Sequence, residues 1–465
     1  MFNAVNGLGA GGQVNKDKSI ASTMNACVYA FFAIVGFMAG GIVNIVGPRI
    51  TIFLSGWTYV IYIAAFYHYS FTQNGTFNII AGILLGIGAG CIWTAQGALM
   101  MSYPKEDSKG RYVAIFWAIF NTGGVVGSLI SLAINAGSNT VAPITSSTYI
   151  TFIVITAVGT TCAIFLLPPN WVRRKDGSRA VLVKHPNWIK ESIEIFKLVT
   201  NKKLMLLFPM FWYSNWFYAY QFGINEAYFS TRARSLNGML YWFAQIIASI
   251  LFGRLLDYER FTRRTRAFIG LVAVFVSLVA VFGGGTAWQL TFSEPNVGVD
   301  WTDPRFPGPM INYMLYGFCD AMYQVYCYWL MGALTNDPQK LARYAGFYKG
   351  VQSAGAAVTW AMGGKITMMN ELIVNWALLI FSVIPAFFVC QGITETNYGA
   401  EEYDLELKKQ LELEKLGELP KSEDDKLEQG KTEVPDLSDK IEESSPAQEQ
   451  AQVQKQGEEE EEEKK

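Results

Sequence analysis

The sequence predicts an all-α polytopic membrane protein. Hydrophobic residues make up 51% of the 465 positions and charged residues only 16%, a balance that soluble domains rarely show. Apolar stretches of about 20 residues recur, which is the length a helix needs to cross a hydrocarbon core about 30 Å thick. Residues 397–465 carry 23 acidic and 10 basic side chains, whereas the first 396 carry 16 and 27. The overall charge of -2 therefore combines a basic, membrane-embedded body with an acidic tail.

The apolar stretches predict eleven complete transmembrane spans. We place them at residues 22–47, 50–69, 77–101, 111–136, 147–167, 204–230, 237–256, 267–290, 310–334, 342–364 and 372–392. All six cysteines fall inside these spans without the paired spacing of a disulfide framework or a zinc site. Small, polarizable core residues are the simplest interpretation of them.

Basic residues in short loops predict the orientation, because positively charged loops stay on the cytoplasmic side. Alternate loops form a basic set and a set nearly free of Lys and Arg, with Arg232 and Arg234 as exceptions. This pattern predicts that the tail, residues 396–465, is cytoplasmic, and its low-complexity Glu/Lys/Gln composition is typical of disorder. The single N-x-[ST] sequon, at Asn74, then lies in an outer loop, where a glycan acceptor has to be.

The basic loop 168–203 divides the spans into five before and six after. It predicts an N-terminal bundle over residues 1–167 and a C-terminal bundle over residues 204–395. Within the loop, residues 186–199 have apolar side chains at near-helical spacing. This spacing fits either an amphipathic helix on the inner membrane surface or a solvated linker.

The opening stretch MFNAVNGLGAGGQ has glycines at G-x-G-x-x-G spacing, at Gly7, Gly9 and Gly12. A dinucleotide fingerprint needs a preceding strand, for which the six residues before Gly7 are too few. A truncated first transmembrane helix ending near Gln13 would instead complete two groups of six. At 1.5 Å per residue its dozen residues cover about 20 Å, too little to cross the bilayer alone. Its glycines are then expected to let neighbouring helices pack closely.

Two motifs at corresponding places in the two halves resemble the cytoplasmic G-x-x-x-D-x-x-G-R loop of major facilitator superfamily transporters. Their candidate gate residues are Gly40, Asn44, Gly47 and Arg49 in the first half, and Gly253, Asp257, Arg260 and Arg263 in the second. In that superfamily, the acidic and basic residues latch two helices in one state of the transport cycle. Asn44 stands where the superfamily usually has Asp, so a charge-based latch is expected to be weaker there.

The opening stretch, VGPRITIFLSGWTYVIYIAAF, GILLGIGAGCIWTAQGALMMSYP and KGRYVAIFWAIFNTGGVVG resemble the Unc-93-like family within that superfamily, most closely its fungal branch. The resemblance covers residues 1–395. It implies a major facilitator fold of two six-helix bundles, related by an axis along the membrane normal, with a cavity between them. It leaves both transport and a non-transporting partner role open, because some animal members act as partners that regulate a potassium channel or escort receptors.

Ionisable residues deep in a hydrocarbon core are costly and usually face a cavity or a partner. Asp320 lies about ten residues from either end of its span, and Gln324 and Tyr316 lie one helical turn to each side of it. This polar stripe is expected either to bind a cation, a proton or a polar substrate, or to be a structural carboxyl group bonded to another helix.

The remaining polar residues of the spans are weaker candidates for a substrate or ion path. Glu226 is expected in a cavity or near the outer mouth, and Lys349 is expected to extend to the inner surface as lysines near helix ends do. Gln96 and Asn121, in the first half, are ordinarily used for hydrogen bonds between helices, and lining the path is the alternative.

The composition argues against enzymatic functions. With two histidines, the chain has too few groups for a metalloprotease or a histidine relay, and the P-loop motif of ATP-driven pumps does not occur. No cofactor, metal or nucleic-acid partner is indicated. The sequence therefore favours a secondary transporter of a small solute or ion that works in the lipid bilayer by alternating access. The alternative is a non-transporting regulatory or trafficking partner of another membrane protein.

Overall fold

The computed structural model describes residues 1–12, 18–102, 109–140, 142–167, 193–194, 197–258, 260–292, 298–335, 338–363 and 365–395. Within these ranges, the α-helices are α1 (Phe2–Gly7), α2 (Lys18–Gly36), α3 (Ala39–Val46), α4 (Pro48–Thr72), α5 (Thr76–Ser102), α6 (Lys109–Asn135), α7 (Ser146–Cys162), α8 (Lys202–Tyr213), α9 (Tyr218–Tyr228), α10 (Thr231–Leu256), α11 (Arg263–Thr291), α12 (Pro307–Leu334), α13 (Pro338–Met362) and α14 (Met368–Gln391). Extended structure in the described ranges is one bridge between Phe229 and Val299. The predicted linker helix and the acidic tail lie largely outside them.

The helices confirm the prediction of an all-α polytopic membrane protein. Among the described residues, seven helical segments are long and apolar enough to cross a membrane: Pro48–Thr72, Thr76–Gly97, Ile115–Asn135, Ser146–Phe165, Thr231–Leu256, Arg263–Thr291 and Met368–Gln391. Helices α12 and α13 are of similar length but carry polar side chains that face the interior. Exposed side chains such as Phe165, Leu290 and Ile119 give the outside of the molecule an apolar surface suited to lipid.

Two of the predicted spans are interrupted helices. The span at 22–47 is α2 followed by α3, and the span at 204–230 is α8 followed by α9. At the second break, residues 214–217, the Gln324 side-chain amide donates to the backbone carbonyl of Ser214 at 2.9 Å. A neighbouring helix thus satisfies a backbone group that the break leaves free, as broken membrane helices require.

The two halves are joined by helix pairs that cross between them. Helix α6 packs against α10, and α2 packs against α13. Each half has its own buried apolar cluster, one containing Tyr62, Phe66 and Phe152 and one containing Tyr323 and Tyr326. The molecule is therefore two helical bundles with a joint interior, and this interior contains the candidate site.

The opening glycines are points of close packing, as predicted. Helix α1 ends at Gly7, and the backbone then turns through Gly9, Gly11 and Gly12, all with positive φ. A Cβ atom at Gly9 would overlap Glu226 and the carbonyl oxygen of Phe222 on α9. At Gly11 it would overlap the ring of Phe66 on α4. The stretch therefore wedges between helices of both bundles, which only glycine allows.

Candidate functional site

A cavity of about 540 Å³ lies between the two bundles. Its described lining is rich in aromatic side chains and includes Tyr29, Phe32, Tyr59, Trp93, Phe116, Trp117, Phe120 and Tyr218. Polar groups enter from Gln96 on α5, Asn215 in the α8–α9 break, Gln324 on α12 and Gln352 on α13. Both halves thus contribute to one aromatic chamber with a few polar groups, as expected of small-molecule sites.

Asp320 lies directly behind the cavity wall and is held by four neutral donors. Its side chain is almost fully buried on α12. Its Oδ2 accepts hydrogen bonds from the hydroxyl groups of Tyr218 at 2.9 Å and Tyr241 at 3.1 Å, and from Nε2 of Gln245 at 2.7 Å. Its Oδ1 accepts a longer bond, 3.4 Å, from Gln324. Hydrogen bonds from three helices thus stabilise a buried carboxylate that has no cation in direct contact among the described residues.

Gln324 connects this carboxylate to the rest of the cavity. Its Nε2 also donates to Oδ1 of Asn215 at 2.8 Å, and its Oε1 accepts from the Tyr348 hydroxyl at 2.7 Å and from Nε2 of Gln352 at 3.0 Å. Gln352 in turn accepts a hydrogen bond from Nζ of Lys349 at 2.8 Å. A continuous chain of hydrogen bonds therefore joins Asp320 to Lys349 through two amide side chains.

The expectation that Lys349 extends to the inner surface is wrong. Its Nζ bonds to Gln352, which lies further along α13, and sits 4.7 Å from the ring centroid of Trp93. The ring centroids of Tyr348 at 5.2 Å, Tyr328 at 5.6 Å and Trp117 at 6.0 Å complete an aromatic box. A desolvated cation–π contact contributes about 2 kcal/mol, so several rings and an amide acceptor favour the interior position.

A family model described as "Ion channel regulatory protein UNC-93" matches residues 17–388. The chain belongs to the UNC-93 family. A UNC93-like protein of Schizosaccharomyces pombe is 44% identical over 412 residues, covering 86% of this chain and 81% of the relative. UNC93-like protein 1 of Arabidopsis thaliana is 43% identical over 389 residues, covering 82% and 84%. The predicted family is therefore confirmed along the membrane-embedded body.

Solved structures show which fold this UNC-93 family member has. The xylose transporter XylE from E. coli, in a partially occluded inward open conformation, matches with a TM-score of 0.58 at 15% identity, covering 85% of this chain and 94% of XylE. The E. coli fucose:proton symporter FucP matches with a TM-score of 0.52 at 14% identity, covering 85% and 96%. At such identities the likeness concerns the fold alone. This UNC-93 family member therefore has the major facilitator fold.

The other predicted path residues of the UNC-93 chain lie at different distances from the cavity. Gln96 lines it, whereas Asn121 is fully buried beside it on α6, with no hydrogen-bond partner for its amide among the described residues. Glu226 is fully buried on α9 and borders a separate small pocket of about 20 Å³. Tyr316 packs against Phe282 and is not among the four donors to Asp320. The predicted stripe therefore reduces to Asp320 and Gln324.

The candidate gate motifs are described only in part. Gly47, with φ 84°, connects α3 to α4, and Arg49 is exposed. For Gly40 and Asn44 the structure describes only the helical backbone of α3. In the second motif, Arg263 donates to the carbonyl of Gly332 at 2.9 Å. This contact stays within the C-terminal bundle. Gly253 lies in the last turn of α10 with open space beside it, and Asp257 and Arg260 follow the end of that helix and are exposed.

Sequence reasoning missed a set of contacts between the bundles at the opposite end, which we call the inter-bundle latch. Thr231 donates from its hydroxyl to the carbonyl of Ala142 at 2.7 Å, and the fully buried Arg234 donates to the same oxygen at 2.8 Å. Arg232 donates across to the carbonyl of Ala136 at 3.3 Å. Its guanidinium is held by a bidentate ion pair with Asp300 of its own bundle and lies 4.6 Å over the ring of Trp301. These two arginines, the exceptions to the charge pattern, therefore have structural partners here. Their position near an acidic loop was the available signal.

We expect replacing Asp300 by Asn to weaken the inter-bundle latch at neutral pH. Arg232, together with the hydroxyls of Ser230 and Thr302, holds the pKa of Asp300 well below its usual value. A depressed folded-state pKa contributes stability above the unfolded pKa, near 4. Wild type is therefore expected to unfold at a higher temperature than the variant at pH 5–8, and the difference should shrink only as the pH falls below about 4.

The control for this measurement is Asp303→Asn, three residues away. Asp303 pairs only with Arg305 of its own loop among the described residues, and Arg305 is well exposed. Such exposed local pairs contribute about 0–1 kcal/mol, so this variant should resemble wild type. Equal thermal shifts in the two variants would contradict a special role for Asp300 in the latch.

Proposed function

We propose that this protein is a secondary transporter that moves a small solute by alternating access and carries a proton on Asp320. The observation that carries the proposal is the buried carboxylate at the interface between cavity and C-terminal bundle. Burying a charge is costly unless it has a use or a partner. Here its direct partners among the described residues are neutral hydroxyl and amide groups, which suits a group that gains and loses a proton.

The hydrogen-bond network accommodates both protonation states. Tyr241 lies 3.1 Å from Asp320 and 2.8 Å from Oε1 of Gln221, so its single hydroxyl proton has two acceptors. With Asp320 ionised, Tyr241 donates to the carboxylate. With Asp320 protonated, the carboxyl proton is donated to the Tyr241 oxygen, and Tyr241 donates to Gln221. Tyr218 borders the cavity and also donates to Asp320, so it provides a proton path from the cavity.

The arrangement of the bundles supports alternating access. The inter-bundle latch consists of a few polar contacts between a loop and a helix end, such as Thr231 with Ala142, which can break when the bundles rock. The charge pattern of the loops predicts that the second gate motif and the tail face the cytoplasm. FucP, one of the proteins with this fold, is a fucose:proton symporter, so proton-coupled movement of a solute is compatible with the architecture.

The second candidate function is regulation or trafficking of another membrane protein. The family description, an ion channel regulatory protein, favours it, and so does Asn44 in place of an acidic residue in the first gate motif. A regulator has no need for an ionisable group beside a solute-sized cavity. We therefore rank it below transport.

Proteoliposomes test the proposal directly. The full chain is reconstituted with a pH-sensitive dye inside the vesicles, and aromatic carboxylates, sugars and amines are added in turn under a pH gradient. We expect at least one class of solute to produce proton flux above that of empty liposomes. Reconstituted protein that gives no flux with any of these solutes, yet co-purifies with a membrane partner, would favour the regulatory function.

A further inference from the structure

The cavity wall carries a cationic side chain in a setting rich in aromatic rings. Lys349 is the only charged side chain among the described residues that line the cavity. Asp320 does not border the cavity, and four donors occupy its oxygens. A solute in the cavity therefore meets a positive charge first, while the carboxylate is separated from it by Tyr218 and Gln324.

Lys349 has donor capacity to spare. An ammonium group carries three N–H donors, and the described residues supply one acceptor, Oε1 of Gln352 at 2.8 Å. The rings of Trp93 and Tyr348 face the cation but accept only weakly. An anionic oxygen entering the cavity would form a charge-assisted hydrogen bond, which is shorter and stronger than a neutral one.

A second donor lies next to this lysine. The indole N–H of Trp117 is buried and has no acceptor among the described residues, and the ring lines the cavity 6.0 Å from Nζ of Lys349. Leaving a buried donor unpaired is costly. A carboxylate has two oxygens and can accept from both groups at once.

The rest of the lining suits an apolar or aromatic body. Phe116 and Phe120 stack with ring centroids 6.0 Å apart, and Trp93 meets Phe120 edge-on at 5.2 Å. Flat apolar groups gain area burial and favourable edge or offset contacts against such rings. A polyhydroxylated solute would gain less from these rings, because it has little apolar surface to bury against them.

We propose that the cavity binds a small organic monoanion, with its carboxylate on Lys349 and Trp117 and its apolar body against Trp93, Phe116 and Phe120. The proposal deepens the proposed transport function and rests on it only for the claim that the bound anion is cargo. The chain of hydrogen bonds from Lys349 to Asp320 then connects the anion site to the proton site. One anion moving with one proton would be electrically neutral.

Binding to the purified full chain, measured by isothermal titration calorimetry, tests this without any flux. The probes are phenylbutyrate, its neutral amide phenylbutyramide and the cation phenylbutylamine, which share one aromatic body. We expect phenylbutyrate to bind at least about tenfold more tightly than the amide, and the amine to bind most weakly. Lys349→Gln should abolish the preference for the anion, Lys349→Arg should retain most of it, and Trp117→Phe should reduce it severalfold.

The matched control is Lys365→Gln, which makes the same chemical change at an exposed lysine outside the cavity and should leave all three affinities unchanged. If the amine instead binds more tightly than the anion, and its affinity increases further in the Lys349→Gln variant, the rings form a cation cage. Equal affinities for anion and amide, or binding of none of the probes by protein with a monodisperse elution profile, would overturn the anion site. Anion binding that persists without proton-coupled flux would defeat only the transport proposal.

Discussion

Replacing Asp320 by asparagine should abolish proton-coupled uptake while leaving a folded protein. Oδ2 accepts the three shorter hydrogen bonds, from Tyr218, Tyr241 and Gln245, and the amide oxygen of asparagine can take that position. The amide nitrogen then faces Gln324, whose 3.4 Å bond to Oδ1 is the weakest of the four. The substitution thus loses one long hydrogen bond and leaves a buried N–H donor facing the donor of Gln324, a cost of about 1–3 kcal/mol, and it removes the carboxyl group to which we assign the proton.

The measurement is the initial rate at which proteoliposomes take up the solute that drives proton flux, with and without an inward proton gradient. Wild type should be accelerated by the gradient, whereas the Asp320→Asn variant should show the same low rate in both conditions. Asp303→Asn, the same chemical change at the loop residue paired with Arg305, should retain the acceleration. Gradient-driven uptake that survives in Asp320→Asn would place proton coupling elsewhere, and an aggregated variant would be replaced by Asp320→Glu, which restores the acid.

The Tyr241→Phe substitution distinguishes the role of the Asp320 carboxylate from that of the hydrogen bonds around it. The variant removes a hydroxyl that bridges Gln221 and Asp320 but leaves the acid in place. Proton-coupled uptake should continue, with its pH dependence altered, because one stabilising donor to the carboxylate is lost. Loss of all uptake in this variant would indicate that Tyr241 is required for more than tuning the acid.

The spans were predictable because one physical constraint, the thickness of the hydrocarbon core, acts on every stretch of the chain. The same constraint says nothing about interruptions. The break at residues 214–217 has a backbone carbonyl satisfied by Gln324, more than 100 positions later, and the periodicity of a single span contains no sign of this partner. The glycines of the opening stretch were interpretable because close helix packing has a local cost that only small residues avoid.

The candidate site was predicted only along one helix. Asp320 and Gln324 were found because they lie one turn apart, but Tyr218, Tyr241 and Gln245 come from two other helices and meet the carboxylate only in the folded chain. Lys349 was misplaced for the same reason. Its position follows from rings on several helices, whereas the sequence shows only its distance from the end of its own span.

Gly9→Ala is expected to be the most destabilising single substitution at the junction of the bundles. Gly9 has φ 76°, a left-handed conformation that costs other residues about 1–2 kcal/mol. An added Cβ would also overlap Cβ of Glu226 and the backbone carbonyl oxygen of Phe222. Backbone atoms of a packed helix cannot yield without moving α9, so we expect a total loss above about 3 kcal/mol and little folded protein.

Gly47→Ala separates the two contributions. Gly47 also has a positive φ, 84°, with ψ 150°, a backbone conformation that essentially only glycine adopts, but a Cβ there would meet no atom within 4 Å. This variant should therefore lose only the conformational part, about 1–3 kcal/mol, with no steric overlap added to it. The stability losses of both variants are measured from thermal unfolding in detergent, monitored by tryptophan fluorescence. If Gly9→Ala and Gly47→Ala lower the midpoint equally, the close approach of the opening stretch to α9 contributes nothing to stability. A much larger shift for Gly9→Ala would show that this stretch holds the two bundles together at the latched end, where alternating access requires them to separate.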